Sequence, residues 1–202
     1  MGMGRFMHRT MISATLLAMS ATAANAADAQ RQSAGKLADG SDVAVITLTA
    51  HNGVLARILA YGATPKSLFA PDRKGRTADV LLGYDDLSSY VDYPNYFGAT
   101  IGRYANRIAG GRFVLDGHTY QVPQNDHGQS VHGGGHGFDK VLLQVVKVQS
   151  GPVASVVLRH VSEDADAGYP GTLTATVTYR STNAAIWRSP MKPARTSRPW
   201  ST

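Results

Sequence analysis

Side chains able to do chemistry concentrate in one stretch of the sequence, residues 95–140. There glycine, arginine, asparagine, histidine and aromatic residues lie closer together than anywhere else in the chain. Arginine offers a rigid fork of hydrogen-bond donors, histidine exchanges a proton near neutral pH, and glycine lets the backbone approach a ligand closely. Hydrogen-bonding groups beside aromatic rings are what a sugar requires. We therefore expect residues 95–140 to form the functional site.

Each of these residue types also has a purely structural explanation. Arg107 would serve equally well in an ion pair with a nearby aspartate, and we expect Arg103 to brace its own loop. His127, His132 and His136 would suit a metal such as zinc, but the glycines between the last two do not hold ligands rigidly. The aromatic residues of the stretch are as compatible with a core as with a sugar platform: Tyr93, Tyr96, Phe97 and Tyr104.

Length and charge narrow the possible functions. The chain has 202 residues, enough for one domain, and no cysteine, which excludes disulfides and thiolate sites. Its net charge of +6 resides in the two ends, because residues 27–185 carry 14 Lys/Arg against 14 Asp/Glu. Nucleic-acid binding would require cations clustered on the folded body, so we predict no nucleic-acid partner.

The first 26 residues have the pattern of a secretory signal peptide. Arg5 and Arg9 precede an uncharged apolar run, and Ala24-Asn25-Ala26 fits the small-x-small cleavage rule. The run is short for a membrane span, although an uncleaved anchor is the alternative. We predict cleavage after Ala26, export to the periplasm or medium, and no membrane association afterwards.

The body of the sequence predicts β-strands. Short alternating runs bounded by turn residues occur throughout, and no stretch has a sustained helical period. Asn52-Gly53 and Asp116-Gly117 predict hairpin turns. This pattern indicates an all-β antiparallel sandwich or barrel. The predicted strands are 42–50, 54–61, 79–82, 112–115, 118–122, 141–149, 153–160 and 172–179, with one helical turn over 85–90.

The composition changes abruptly after Asn183. Residues 184–202 contain three prolines and four cations, and proline cannot donate to a sheet ladder. We therefore predict that this tail is a disordered segment outside the sheet, and we propose a change of reading frame near Asn183 as its origin. An intact frame in the source DNA would exclude that origin.

Several spaced motifs resemble the aldose 1-epimerase (galactose mutarotase) family. Residues 96–108 read YFGATIGRYANRI, and residues 132–140 contain HGG followed by GFDK. Segments 61–63, 79–84 and 168–171 are similar to further family segments in the same order. The resemblance covers residues 33–183, and several ordered motifs make it specific.

The resemblance implies a fold, an activity and a set of site residues. The fold is the galactose mutarotase-like antiparallel β-sandwich, here truncated at the C-terminus. The activity is interconversion of the α and β anomers of free hexoses such as galactose or glucose by acid–base ring opening, with no metal or cofactor. Asn106 and Arg107 match the substrate-binding pair, and His132 matches the first active-site histidine, which is both catalytic and substrate-binding.

The sequence departs from the family beyond residue 183. The family's proton-donor histidine, in an Asn-His-x-Tyr-Phe-Asn context, and its catalytic glutamate have no counterpart; the last histidine is His160 and the single glutamate is Glu163. Missing strands would also leave open sheet edges. We therefore expect a polypeptide of these residues to fold poorly and to have little epimerase activity.

Two other functions are compatible with the sequence. A non-catalytic carbohydrate-binding protein would use Asn106, Arg107 and His132 without acid–base partners. A lyase or phosphosugar epimerase on a similar sandwich is the third possibility, and the Asn106-Arg107 context argues against it.

Overall fold

The computed structural model describes residues 26–182, 185–188 and 192–195, and short strands dominate these ranges. The only α-helix in the described ranges, α1, spans Leu87–Asp92. The strands β1 to β14 are Asp28–Lys36, Asp42–Thr49, Leu55–Leu59, Thr64–Pro71, Thr77–Asp79, Arg107–Ile108, Arg112–Leu115, His118–Gln121, Ser130–Val131, Gln144–Gln149, Ser155–Ser162, Leu173–Ser181, Ile186–Arg188 and Lys192–Arg195.

Two five-stranded antiparallel sheets form the scaffold. The first has the order β1-β2-β3-β4-β5; the second runs β10-β11-β12, and both β13 and β14 pair with β12. Apolar side chains of both sheets form one shared core, which confirms the predicted all-β antiparallel sandwich. The largest fully buried members of this core are Ile46, Leu48, Ile58, Leu158, Val156 and Val177.

Strand β2 is buried on one face and partly covered on the other, although its alternation predicts a strand with only one face covered. Ile46 and Leu48 point into the core between the sheets. Val43, on the opposite face, packs in a second cluster with Leu87 of α1 and Tyr90. The helix covers the part of the outer face around Val43, and only the tertiary structure places it there.

Both predicted hairpins are present. Strands β7 and β8 are joined by Asp116-Gly117, whose positive φ values of 52° and 76° fit the predicted type I′ turn. Strands β2 and β3 pair around Asn52-Gly53, but the loop has three residues and closes on an Ala50 N–H to Val54 carbonyl bond of 2.8 Å. Only the glycine has positive φ in that loop.

The strand predicted over residues 79–82 is displaced. Strand β5 ends at Asp79, whose carboxylate accepts the backbone N–H groups of Leu68 and Leu81 at 2.9 and 3.1 Å. These bonds terminate the strand, and Leu82 is 76% exposed. The helical turn predicted over 85–90 begins after Asp86, whose side chain accepts the Ser89 N–H as an N-cap.

The prediction that the tail contributes no strand is wrong for the part that the structure describes. Strands β13 and β14 both extend the second sheet along β12. Pro193 is compatible with β14 because the strand lies at the edge of the sheet, where the missing N–H breaks no internal ladder. The other residues of the tail lie outside the described ranges, and the domain boundaries at 33 and 183 stay predictions.

The predicted signal peptide lies outside the described residues, apart from Ala26. In the described ranges, no helix combines the length and the apolar character needed to cross a membrane.

Candidate functional site

A two-stranded ladder joins the two halves of the predicted site. Strand β6 pairs antiparallel with β9, which places Arg107 opposite Val131. Next to this pair, the His132 N–H donates to the Asn106 carbonyl and the Asn106 N–H donates to His132 Nδ1, both at 3.1 Å. The structure therefore brings Asn106, Arg107 and His132 together, although the sequence separates the histidine from the pair by a hairpin.

The bond from the Asn106 N–H determines the tautomer of His132. Because Nδ1 accepts a proton donor, the neutral ring carries its own hydrogen on Nε2. No residue in the described part of the chain hydrogen-bonds Nε2. His132 is half-buried, so its ring presents an N–H donor at the rim of the site.

The guanidinium of Arg107 is exposed and held by Asp126. Its Nε and Nη2 atoms lie 2.8 and 2.6 Å from the same carboxylate oxygen. Nη1 makes only a long contact of 3.4 Å with the Asn106 side-chain oxygen. The predicted structural ion pair therefore exists, and it leaves Nη1 as a donor next to the Asn106 side chain.

A turn that the sequence motifs did not single out supports both sides of this ladder. The Asn125 side chain accepts the Val131 N–H at 2.8 Å and donates to the Val131 carbonyl at 3.1 Å, which anchors β9. Asp126 anchors Arg107 and also contacts His127 Nδ1 at 2.9 Å. Hydrogen bonds from His127 and Arg107 lower the pKa of Asp126 below its ordinary value, which keeps this carboxylate charged. In the sequence, the only sign of this support is that Asn125 and Asp126 stand next to each other before a turn.

Three residues of the site have left-handed backbone conformations. The φ values are 58° for Tyr96, 68° for Asn106 and 55° for His132. Asparagine and histidine are enriched in this region, whereas a bulky tyrosine is unusual there. Such conformations cost about 1–3 kcal/mol each and persist only where the surroundings hold them.

Two glycines allow the two loops of the site to pack at backbone distance. A Cβ on Gly133 would lie 1.8 Å from the Gly102 carbonyl oxygen, and its φ is +90°. The Phe138 N–H also donates to the Gly102 carbonyl at 3.3 Å. Glycine is required here because two backbone segments of the chain approach each other closely, and no ligand is needed to explain it.

Arg103 is a structural clamp, in agreement with the bracing role predicted for it. Nε donates to Ser162 Oγ at 2.8 Å, Nη2 to the carbonyls of Ser162 and Glu163 at 2.8 and 2.6 Å, and Nη1 to those of Pro170 and Gly171 at 3.0 and 2.6 Å. Burial lowers the pKa of Arg103 below its ordinary value. The clamp ties the loop that carries Asn106 and Arg107 to the second sheet.

Comparison with known proteins agrees with this geometry. The sequence profile of the family described as aldose 1-epimerase matches residues 44–185. The chain belongs to the aldose 1-epimerase family. It is 45% identical to the galactose mutarotase of Rattus norvegicus over 122 residues, which are 60% of this chain and 34% of the relative. It is 38% identical to the maltose epimerase of Levilactobacillus brevis over 152 residues, 75% of this chain and 44% of the relative.

Solved structures show the same fold. A galactose 1-epimerase from Lactobacillus acidophilus superposes with a TM-score of 0.67 at 26% identity, covering 78% of this chain and 45% of that chain. An aldose epimerase homologue from C. elegans gives a TM-score of 0.63 at 32% identity, with coverages of 67% and 41%. The chain thus spans between a third and a half of the length of these relatives.

The site of this aldose 1-epimerase family member is an open rim. In the described ranges, no group of three or more His, Asp or Glu side chains could hold a metal ion, and His127, His132 and His136 form no such group. A small recess lies next to the site and shares none of its three predicted sugar contacts. Half of the residues that line it are aromatic: Tyr61, Thr64, Tyr84, Tyr90, Pro94, Asn95, Tyr96, Phe97, Ala99 and Asp139.

Proposed function

We propose that this protein binds the pyranose form of a free hexose, such as galactose or glucose, in the role of an aldose 1-epimerase. The observation that carries the proposal is the reciprocal hydrogen bonding of Asn106 and His132 beside Arg107. Membership of the family supports the reaction class, and the names of two relatives, galactose mutarotase and maltose epimerase, support aldose substrates.

Each of the three side chains would offer a donor to a sugar oxygen. Arg107 would donate through Nη1, because Asp126 occupies its other edge. His132 would donate its Nε2 hydrogen to the ring oxygen of the sugar or to an adjacent hydroxyl. The ring oxygen is the atom at which ring opening requires a proton. Asn106 would bind a hydroxyl with its side-chain amide while its backbone holds the imidazole.

For a polypeptide of these 202 residues we propose binding with little anomer exchange. Glu163, the single glutamate of the sequence, is exposed, and its carboxylate accepts the Thr172 hydroxyl at 3.3 Å. Among the described residues, the hydrogen bonds of Asn106, Arg107 and His132 do not involve it. A positioned acid and base each contribute about 10²–10⁴-fold in such reactions. The alternative, a non-catalytic carbohydrate-binding protein, is favoured by the same observation.

Titration followed by NMR and polarimetry tests the proposal. We expect α-D-galactose or α-D-glucose to shift resonances around the ladder and Arg107→Ala to weaken binding about tenfold to a hundredfold, the loss of a hydrogen bond from a charged donor. Arg76→Ala is the matched control, because Arg76 is an exposed arginine paired with an aspartate at 2.8 Å elsewhere on the surface.

A second pair of variants separates the histidine from general surface effects. His132→Asn keeps a residue that tolerates the left-handed backbone, and we expect it to reduce affinity, whereas His118→Ala in the β7–β8 hairpin leaves affinity unchanged. Sugar binding that is insensitive to both Arg107→Ala and His132→Asn would refute the site. Polarimetric exchange at rates typical of an efficient enzyme would refute the proposal of binding with little turnover.

We also propose that the mature protein is exported. The motivation is the basic head, apolar run and Ala24-Asn25-Ala26 sequence of the N-terminus. N-terminal sequencing of the protein from a periplasmic fraction would give Ala27 as the first residue; an intact Met1 in the cytoplasmic fraction would contradict export.

A further inference from the structure

The aromatic ring of Tyr96 contacts both ends of the loop that carries His132. Its centroid lies 4.8 Å from that of the His132 ring, with an edge-to-face angle of 62°. On the other side of the loop, Lys140 Nζ lies 5.1 Å from the centre of the Tyr96 ring. One side chain therefore connects the first and last residues of the segment 132–140.

Lys140 is held in place by a buried carboxylate. The side chain of Asp139 is only 3% exposed and pairs with Lys140 Nζ, whose side chain is 24% exposed. A buried carboxylate without its partner would be strongly destabilised, so the ammonium group has little freedom to move away. A cation fixed in this way attracts the face of an aromatic ring within about 6 Å.

The backbone of Tyr96 agrees with a positioned side chain. Its φ of 58° is unusual for a bulky residue, and the turn that contains it is closed by one bond of 3.2 Å from the Ala99 N–H. Conformations of this kind concentrate where side-chain placement matters for function. Tyr96 remains 36% exposed, so burial alone does not account for its placement.

We propose that Tyr96, held by Lys140, is a positioning residue that orients the His132 imidazole toward the sugar. The bond from the Asn106 N–H determines which nitrogen carries the hydrogen, but a single bond of 3.1 Å leaves the imidazole some torsional freedom about its Cβ–Cγ bond. The edge-to-face contact with Tyr96 removes this freedom. The effect on sugar binding rests on the sugar site proposed above. The orientation of the ring rests only on the contacts of Tyr96 with His132, of Lys140 with Tyr96 and of Asp139 with Lys140.

The first test measures the His132 ring directly, without sugar. We expect Tyr96→Phe to preserve the chemical shifts of the His132 ring protons, since the aromatic ring remains, and Tyr96→Leu to change them. Tyr104→Leu is the matched control: Tyr104 is a 52% exposed tyrosine of the same stretch, and the ring contacts described for His132 do not include it. Unchanged His132 shifts in Tyr96→Leu would overturn the proposal.

The second test measures galactose affinity in the same variants. Tyr96→Leu should weaken binding about twofold to tenfold, as expected for the loss of one aromatic pair, while Tyr96→Phe and Tyr104→Leu stay within twofold of the wild type. If the wild type binds no sugar, the proposed function fails, and the ring-proton shifts still decide the orientation. A Tyr96→Leu protein that binds galactose as well as the wild type would overturn the positioning role.

Variants of Lys140 test the support of the ring. Lys140→Arg keeps the cation and should retain wild-type shifts and affinity. Lys140→Met leaves the buried carboxylate of Asp139 without its partner and is at risk of misfolding. The double variant Asp139→Asn/Lys140→Met is therefore compared with Asp139→Asn alone. We expect the double variant to reproduce the His132 shift change of Tyr96→Leu; wild-type His132 shifts in it would overturn the part of the proposal that concerns Lys140.

Discussion

Arg103 and Arg107 belong to the same loop region, but substitution of each should affect a different property of the protein. Arg103 makes five hydrogen bonds, four to backbone carbonyls and one to a hydroxyl, and four of the five are partly buried. Arg107 is 57% exposed and has one carboxylate partner. We predict that Arg103→Ala lowers the stability of the fold, whereas Arg107→Ala lowers sugar affinity and leaves stability nearly unchanged.

The magnitude for Arg103 follows from its bonds. A hydrogen bond to a charged group contributes about 1.5–3 kcal/mol, but the released loop carbonyls recover part of this from water. We therefore expect Arg103→Ala to cost about 3 kcal/mol, which lowers Tm by about 6–12 °C for a chain of this size. Arg103→Lys retains the charge without the fork and should cost about half as much. Arg107→Ala should cost less than about 1 kcal/mol, because an exposed ion pair contributes little.

Thermal unfolding followed by circular dichroism, with galactose titrations of the same samples, measures both quantities. The comparison between two arginines of one loop removes effects common to any loss of positive charge. Equal shifts of Tm in Arg103→Ala and Arg107→Ala would refute the assignment of Arg103 as a structural clamp and of Arg107 as a sugar-binding residue. A loss of sugar affinity in Arg103→Lys as large as in Arg107→Ala would refute it as well.

Two further predictions concern stability. Burial lowers the pKa of His160, against the opposing effect of Asp166. Below the unfolded pKa of about 6.5, the unfolded chain therefore binds more protons than the folded one, so the free energy of unfolding should fall as the pH drops from there. Urea unfolding at pH 7.5, 6.5 and 5.5 should show a weaker fall in His160→Phe than in the wild type. Gly133→Ala places a Cβ 1.8 Å from a backbone oxygen at positive φ and should lower the free energy of unfolding by more than about 2 kcal/mol. Gly135→Ala places a Cβ with no neighbour within 4 Å and should change it by less than about 0.5 kcal/mol in the same assay. Equal losses of stability would contradict the packing of the two loops.

Local patterns in the sequence predicted much of the architecture. Alternating short runs and turn dipeptides are local properties, so the type I′ turn at Asp116-Gly117 and strands β10 to β12 of the second sheet could be identified without coordinates. The displaced strand near Asp79 shows where such patterns stop: one carboxylate that accepts two backbone N–H groups ended the strand, and residue periodicity does not record that bond.

The ordered motifs around Asn106, Arg107 and His132 are sufficient by themselves to indicate the family and the candidate residues. Their geometry came only from the pairing of β6 with β9, because a ladder between segments on either side of a hairpin depends on packing throughout the sheet. The same holds for the support of Arg107 by Asp126 and for the strands of the tail along β12. The residue pattern alone thus identified which groups could contact a sugar. Folding selected those that share one rim, because long-range contacts depend on the free energy of the whole fold.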